Sequence, residues 1–517
     1  AWPNASSSRR LARGLAVHAA LGRAVRAADR VGAAADLGSQ GGDGGFVETS
    51  GKQVQLSGIN VDTRAAQGKT GQWLIDPTDL VIAASGGTIS GAALSAQLQQ
   101  NNVLLQTPSA GSDDGNIVVN DTVSWSADTA LNLSAHNDIT INSQMTAGGN
   151  ATLDFAAGND IAINQRVSVG GSSARLLLSP SEGQLRFGSQ GKLDISGSNA
   201  TLTIGGQRYQ LLRSQDDLTQ SFAAAGGALA QGRFAIASDF DIGSDFTTRQ
   251  GLDGNSTLQG LGHTLSGQQV PLLAEQYGLV SDLHLANVAI NSSADQVGAL
   301  ANQLIANDSF ASIRRVTVSG SVQGVNEVGG VVGRSSGGSL SDVSVSGSVT
   351  GNDKVGGLLG TGSASINNSS NQASVTGSSH TGGLVGSASS GYLDNSSNHG
   401  NVSGGSYTGG LAGEYGGWIS GSSADGSVSA SGDYTGGLVG LLNGEGRLED
   451  AQFSGNVSGA AYVGGLAGKT DVSSQMAGIQ NARSSGTVSG SGNYVGGVAG
   501  YIAVSDADSP NPGASYQ

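Results

Sequence analysis

Between residues 320 and 500 the apolar positions come back at a nearly fixed step, each time beside a pair of glycines. The pairs are Gly329-Gly330, Gly356-Gly357, Gly382-Gly383, Gly409-Gly410, Gly436-Gly437, Gly464-Gly465 and Gly496-Gly497. Their spacings are 27, 26, 27, 27, 28 and 32 residues. A Val stands seven or eight residues before each pair, from Val322 and Val349 to Val457 and Val488. An Ile or Leu follows most pairs at ten to twelve residues: Leu340, Ile366, Leu393, Ile419 and Leu448. The last interval is longer, which places a loop insertion around Lys469 to Ala477.

Each unit thus offers three short β-type segments parted by Gly, Ser and Asn. A strand of three to five residues cannot bury an apolar face alone. Stacking identical units sets like on like, and each backbone amide then pairs with the rung about 4.8 Å above or below. The pattern predicts an all-β chain, a right-handed parallel β-helix or β-solenoid, the handedness following the crossover rule. An inward column is expected at Val331, Leu358, Leu384, Leu411, Leu438, Leu466 and Val498. The repeat glycines are expected at corners, supplying positive φ and close approach between rungs.

Residues 41–205 repeat more loosely. Asn137-Asp138-Ile139-Thr140-Ile141-Asn142 returns 22 residues later as Asn159-Asp160-Ile161-Ala162-Ile163-Asn164. Alternation of apolar with polar residues there predicts half-buried strands. Residues 206–310 read as an irregular β-rich connector, with a short helix expected over Gln215 to Leu229. Residues 311–504 hold the seven repeats. Residues 505–517 read as a tail or truncation point. Residues 1–40 carry six Arg among many Ala, unlike the rest, and are expected to be foreign or out of frame; a basic amphipathic or targeting helix is the competing reading.

Composition narrows the function. Gly accounts for 86 of 517 residues, charged residues for 12% and aromatic ones for 4%. The formal charge of −15 argues against a nucleic-acid binder, which needs a basic stripe to displace counterions. Without Cys there is neither disulfide nor thiolate ligand or nucleophile. No run of 18 apolar residues predicts a membrane-spanning helix.

Candidate chemistry is sparse. There is no nucleophile elbow with a His partner, no His-Glu-x-x-His and no phosphate loop. The repeats carry too few charges for a hydrolase or lyase groove, so no enzymatic activity and no cofactor are expected. Asp239, Asp241 and Asp245 have oxygen-ligand spacing for a weak Ca²⁺ site, but a solvated turn explains them equally. The residue two before each glycine pair forms a column of Glu327, Lys354, His380, Tyr407, Tyr434, Tyr462 and Tyr494. His380, Tyr407, Tyr434, Tyr462 and Tyr494 are the candidate binding stripe for a sugar or host surface. A ladder that merely steadies the solenoid is the alternative. Sequons occur at Asn132, Asn150, Asn368, Asn395, Asn401 and Asn456, as expected in any chain this rich in Asn and Ser.

Two stretches resemble known families. Gly44-Gly45-Phe46-Val47-Glu48-Thr49-Ser50-Gly51, followed by Trp73-Leu74-Ile75-Asp76-Pro77-Thr78-Asp79-Leu80-Val81-Ile82, resembles filamentous-haemagglutinin adhesins, with Thr78 where an aromatic is usual. The seven units resemble the GLUG repeat, as in Gly383-Leu384-Val385-Gly386. Gln259-Gly260-Leu261-Gly262-His263-Thr264-Leu265-Ser266 resembles the segment that leads into such repeats. The resemblance implies a secreted or cell-surface exoprotein, exported by an outer-membrane two-partner transporter, that attaches to glycans or proteins of host cells, matrix or other bacteria. Neither a signal peptide nor a secretion domain of that type is read here, so the chain is expected to be a fragment. The alternatives are a structural stalk presenting a tip elsewhere, a toxin carrier, or a polysaccharide-degrading enzyme.

Overall fold

The computed structural model describes residues 25–26, 43–51, 54–56, 59–65, 68–107, 115–306, 311–472 and 478–503. The Arg/Ala-rich stretch, apart from its short strand Val25–Arg26, and the tail from 505 lie outside these residues. The chain divides into two compact units at Leu211/Leu212. Each is a stack of parallel strands, so the fold is a β-solenoid.

In the first unit one face stacks the strands Phe46–Gly51, Gln72–Pro77, Asn102–Gln106, Ala130–Ala135, Thr152–Ala157, Arg175–Pro180 and Thr201–Ile204. Their register aligns Val47, Trp73, Val103, Leu131, Leu153, Leu176 and Leu202 in one column, all buried. The two halves of the motif at residues 44–51 and 73–82 therefore lie on adjacent rungs. The 22-residue repeat is a true rung step, with Ile139 opposite Ile161 and Ile141 opposite Ile163. Outside this pair the amides of Asn120, Asn142 and Asn164 form a ladder with bonds of 2.9 and 2.8 Å.

A helix, Gly91–Leu98, interrupts the strands, capped by the Ser90 hydroxyl accepting from the Ala93 amide. It lies against the edge strand Val123–Trp125, whose Ser124 amide donates to Ser95 Oγ at 2.8 Å. The helix covers a sheet edge that would otherwise invite pairing. The unit closes with an antiparallel hairpin, Thr201–Ile204 against Gln207–Leu212, turning on Gly205 and Gly206. Both glycines have positive φ, as a two-residue hairpin turn of matching twist requires.

In the second unit the expected helix is shorter than its apolar spacing suggested. It runs Gln215–Ser221, and the chain leaves helical geometry at Phe222, ahead of Gly226 and Gly227. From Arg233 onward strands pair in parallel, and Leu279–Asn291 aligns with Ser312–Gln323. Residues within 206–310 thus join the same ladder as the repeats. A sheet of ten strands runs from Arg249–Leu252 to Ala499–Ile502, and one of eight from Val297–Gly298 to Val495–Gly496.

The interior column is fully buried at Val331, Leu358, Leu384, Leu411, Leu438 and Leu466, while Val498 on the last described rung is 52% exposed. Burying each Leu contributes about 1.5–3 kcal/mol. The next residue, such as Val385 or Ala412, is buried too, which breaks strict alternation. The backbone turns there: the amides of Leu384 and Val385 both donate to the Leu411 carbonyl, at 2.8 and 3.0 Å.

The reading that the repeat glycines supply positive φ is corrected by this geometry. None of the seven pairs has positive φ; the left-handed corner lies two residues earlier, on side-chain-bearing residues. What the pairs supply is close approach. An ideal Cβ on Gly409 would stand 2.1 Å from the Ala412 carbonyl oxygen, and one on Gly437 would stand 2.4 Å from Phe453 Cδ1.

Candidate functional site

Because the interior is filled by near-identical aliphatic columns, variation is confined to side chains that point outward. The column singled out from sequence sits at the left-handed corner of each rung. Glu327, Lys354, His380, Tyr407, Tyr434, Tyr462 and Tyr494 have φ of 53, 55, 42, 57, 65, 55 and 65°. Such a conformation costs a residue with a Cβ about 1–2 kcal/mol. Gln296, with φ 59°, is an eighth member, since Val297 pairs with Val328. It was missed because Ala299, not Gly, follows Gly298.

The structure brings the predicted residues together as a continuous stack. Ring centroids are 4.6 Å apart for His380–Tyr407, 5.0 Å for Tyr407–Tyr434, 4.8 Å for Tyr434–Tyr462 and 4.7 Å for Tyr462–Tyr494. Interplanar angles run from 2 to 25°. Tyr501 meets Tyr462 and Tyr494 edge-on. Ring faces therefore cover one another, and hydroxyls and ring edges are what the column turns outward. Partial burial and the neighbouring phenols, with Asp433 beside them, hold the Tyr462 hydroxyl above the ordinary phenol range.

Below the rings the column is ionic. Glu327 reaches Lys354 Nζ at 3.6 Å and Arg334 at 3.5 Å. His380 Nδ1 lies 2.7 Å from Asp353 and 3.0 Å from Ser379 Oγ, and Nε2 lies 3.4 Å from Glu414. Glu414 accepts in turn from Ser387 Oγ at 3.2 Å and Asn443 Nδ2 at 2.6 Å.

A second aromatic group was not foreseen. Tyr392 and Trp418 are 56% and 39% exposed on adjacent rungs, with centroids 6.1 Å apart and planes tilted by 46°. On the following rung the Arg447 guanidinium lies 4.8 Å over the indole. Its Nη2 donates to Glu449 Oε1 at 2.9 Å and Gln480 Oε1 at 3.0 Å. The sequence signal available was position: both aromatics immediately precede the buried Leu393 and Ile419.

The sequence shows no nucleophile motif, yet three polar residues align across two rungs. Ser397 Oγ lies 3.1 Å from His399 Nε2, and His399 Nδ1 lies 2.9 Å from Asp425. The order matches a serine–histidine–carboxylate relay. The backbone amides of Ser397 and His399 are spent on the Ser369 and Asn371 carbonyls, and that of Gly400 on Asn398 Oδ1. None of these three is left to polarise a carbonyl, the step that contributes most to such chemistry.

The weak Ca²⁺ candidates are held by different partners. Asp239 accepts from the Thr264 amide at 2.8 Å and contacts His263 Nδ1 at 3.0 Å. Asp241 accepts from Ser266 Oγ, and Asp245 from Gln215 Nε2 at 3.2 Å. Among the described residues no group of three or more His, Asp or Glu is placed to hold a metal. The loop insertion expected at Lys469 to Ala477 begins as strand, Ala467–Val472; residues 473–477 lie outside the described residues.

No family model matches this sequence, and no curated protein matches it. Two solved structures are similar. One is an IgA1 protease, at 16% identity and a TM-score of 0.35, over 52% of this chain and 21% of that one. The other is a candidate immunoglobulin A1 protease from Bacteroides ovatus, at 16% identity and a TM-score of 0.28, over 57% of this chain and 84% of that one. The chain thus spans about a fifth of the length of the first. The expectation that the chain is not an enzyme is corrected here: both similar structures bear a protease's name, and nothing supports calling this chain non-catalytic. At this identity and TM-score neither likeness carries an activity over to it.

Proposed function

We propose that the chain is a segment of a secreted or cell-surface bacterial adhesin of the filamentous-haemagglutinin type. It attaches through its lateral surface to glycans or proteins of host cells, matrix or other bacteria. One observation carries the reading. The interior is uniform from rung to rung, whereas the outward columns change from charged to aromatic, so the side chains free to specify a partner are on the outside. The motifs at residues 44–51 and 73–82 and the seven glycine-pair units support it. For the longer protein this reading implies export by an outer-membrane two-partner transporter.

The test is saturable binding of the purified chain to cultured epithelial cells, immobilised matrix proteins and whole bacteria. Binding to at least one is expected; none across the three would sink the reading. A stalk that presents a tip elsewhere is favoured by one fact, that the rings of the Tyr column spend their faces on one another. Deleting residues 320–500 and restoring length with an unrelated solenoid separates the two. A stalk keeps its binding; an adhesive surface loses it.

A further inference from the structure

We propose that Tyr392, Trp418 and Arg447 form a subsite for a neutral pyranose glycan. The proposal names a ligand class for one patch of the attachment surface and rests on that reading.

The fold does not ask for aromatics here. The same outward position is Ser312, Ser339 and Ser365 on the preceding rungs and Gly478 on the one after Arg447. Two large rings are nonetheless placed at it and left 56% and 39% exposed. Exposure on this scale forgoes the 150–250 Å² of burial that an aromatic normally contributes.

Their geometry differs from that of the Tyr column in the respect that matters for a sugar. Stacked rings close their faces; Tyr392 and Trp418, tilted by 46°, open a wedge. The other neighbour of Tyr392 along the column is aligned with Ser365, whose side chain is too small to cover a phenol ring. A pyranose has one face of C–H bonds that packs on an aromatic plane and a rim of hydroxyls that need partners. The partners stand in the next outward column, two residues along each strand and about 6.6 Å away. There Asn367, Asp394, Ser420 and Glu449 follow one another on successive rungs. An apolar platform with a few fixed polar groups beside it is the ordinary make-up of a small-molecule site.

Charge selects among sugars. The guanidinium of Arg447 covers the far face of Trp418 and spends Nη2 on Glu449 and Gln480, so it braces the indole. Asp394 and Glu449 flank the rings. A carboxylated sugar would meet like charge here, and a neutral hexose would not.

The experiment is a titration of the full chain with neutral and with sialylated or uronate oligosaccharides, followed by tryptophan fluorescence and calorimetry. Tyr392→Ser and Trp418→Ser carry the residue that the solenoid itself uses at this position, so both are expected to fold. Neutral oligosaccharides should bind, and each variant should weaken them at least tenfold with unchanged circular dichroism. Tyr434→Phe, in the other column, should bind as the parent does. Failure of every neutral glycan, a preference for the acidic ones, or unchanged affinity in both variants would overturn the proposal. Adhesion to cells stripped of glycans, retained by both variants, would overturn the subsite while leaving attachment standing.

Discussion

The imidazole of His380 lies flat on the ring of Tyr407, with centroids 4.6 Å apart and planes 2° from parallel. The spacing is that of hydrogen-bonded strands. Any two planar side chains at this corner on neighbouring rungs are set face to face by the backbone. The stack is thus a product of register, and it offsets the left-handed φ that each of its members adopts.

That balance can be measured at Tyr434, which has φ of 65° and a ring stacked on both sides. Replacing it with Ala removes two stacks, each worth about 0.5–1.5 kcal/mol. Tyr434→Gly removes the same stacks and relieves the backbone, so it should be about 1 kcal/mol less damaging than Ala, the reverse of the order in ordinary strands. Hydrogen exchange at the Thr435 and Thr408 amides reads this rung by rung. Equal protection in the two variants would contradict the account.

Glycine identity should matter only where another atom occupies the space. Gly437→Ala places a methyl against Phe453 and the Gly465 carbonyl and should destabilise the repeat region by about 1–3 kcal/mol or more. Gly497 has nothing within 4 Å of an added Cβ, so Gly497→Ala should lie within about 0.5 kcal/mol of the parent. Urea unfolding followed by circular dichroism distinguishes them.

Asn398 is wholly buried, and its Oδ1 accepts from Asn371 Nδ2 at 2.8 Å and from the Gly400 amide at 3.2 Å. The aligned residue on the next rung is Ala424, so the backbone accepts Ala in this column. Asn398→Ala should still cost about 1–3 kcal/mol, because it leaves both donors without an acceptor. Faster exchange of the Gly400 amide is the specific sign.

Stability should also fall in alkali. Burial pushes the Tyr415 hydroxyl far up, and the Tyr462 hydroxyl is raised by partial burial and its phenol neighbours. The folded chain holds these protons where the unfolded chain releases them. Their contribution is complete below the ordinary value of 10.0 and is lost as pH rises through the raised values. A phenolate absorbance titration should show a late-titrating class that Tyr415→Phe and Tyr462→Phe reduce.

The solenoid and its inward columns were legible because a fixed step with apolar residues at fixed offsets admits few other structures. So was the column from Glu327 to Tyr494, which is one offset read seven times. Three features were not. The left-handed corners fall on Tyr and His, where the glycines were the natural choice, since φ depends on how two strands turn and not on residue type alone. The helix Gly91–Leu98 was hidden within a strand-rich region, although Ser90 and the pair Leu94 and Leu98 signal it. The Tyr392–Trp418–Arg447 group is invisible until register is known, because its members lie 26 and 29 residues apart and share no motif.

The third glycine of each unit carries one more consequence. Gly386 packs against the backbone of Lys354, Gly413 against that of His380, and Gly440 against that of Tyr407, so each unit is fitted to the one before it in the same way. Copying one whole unit in tandem would give every amide and every corner a partner of the kind it already has. Losing a single residue would turn a strand inside out. The gene can therefore change copy number by recombination between its own repeats, lengthening or shortening the molecule while its surface chemistry drifts column by column.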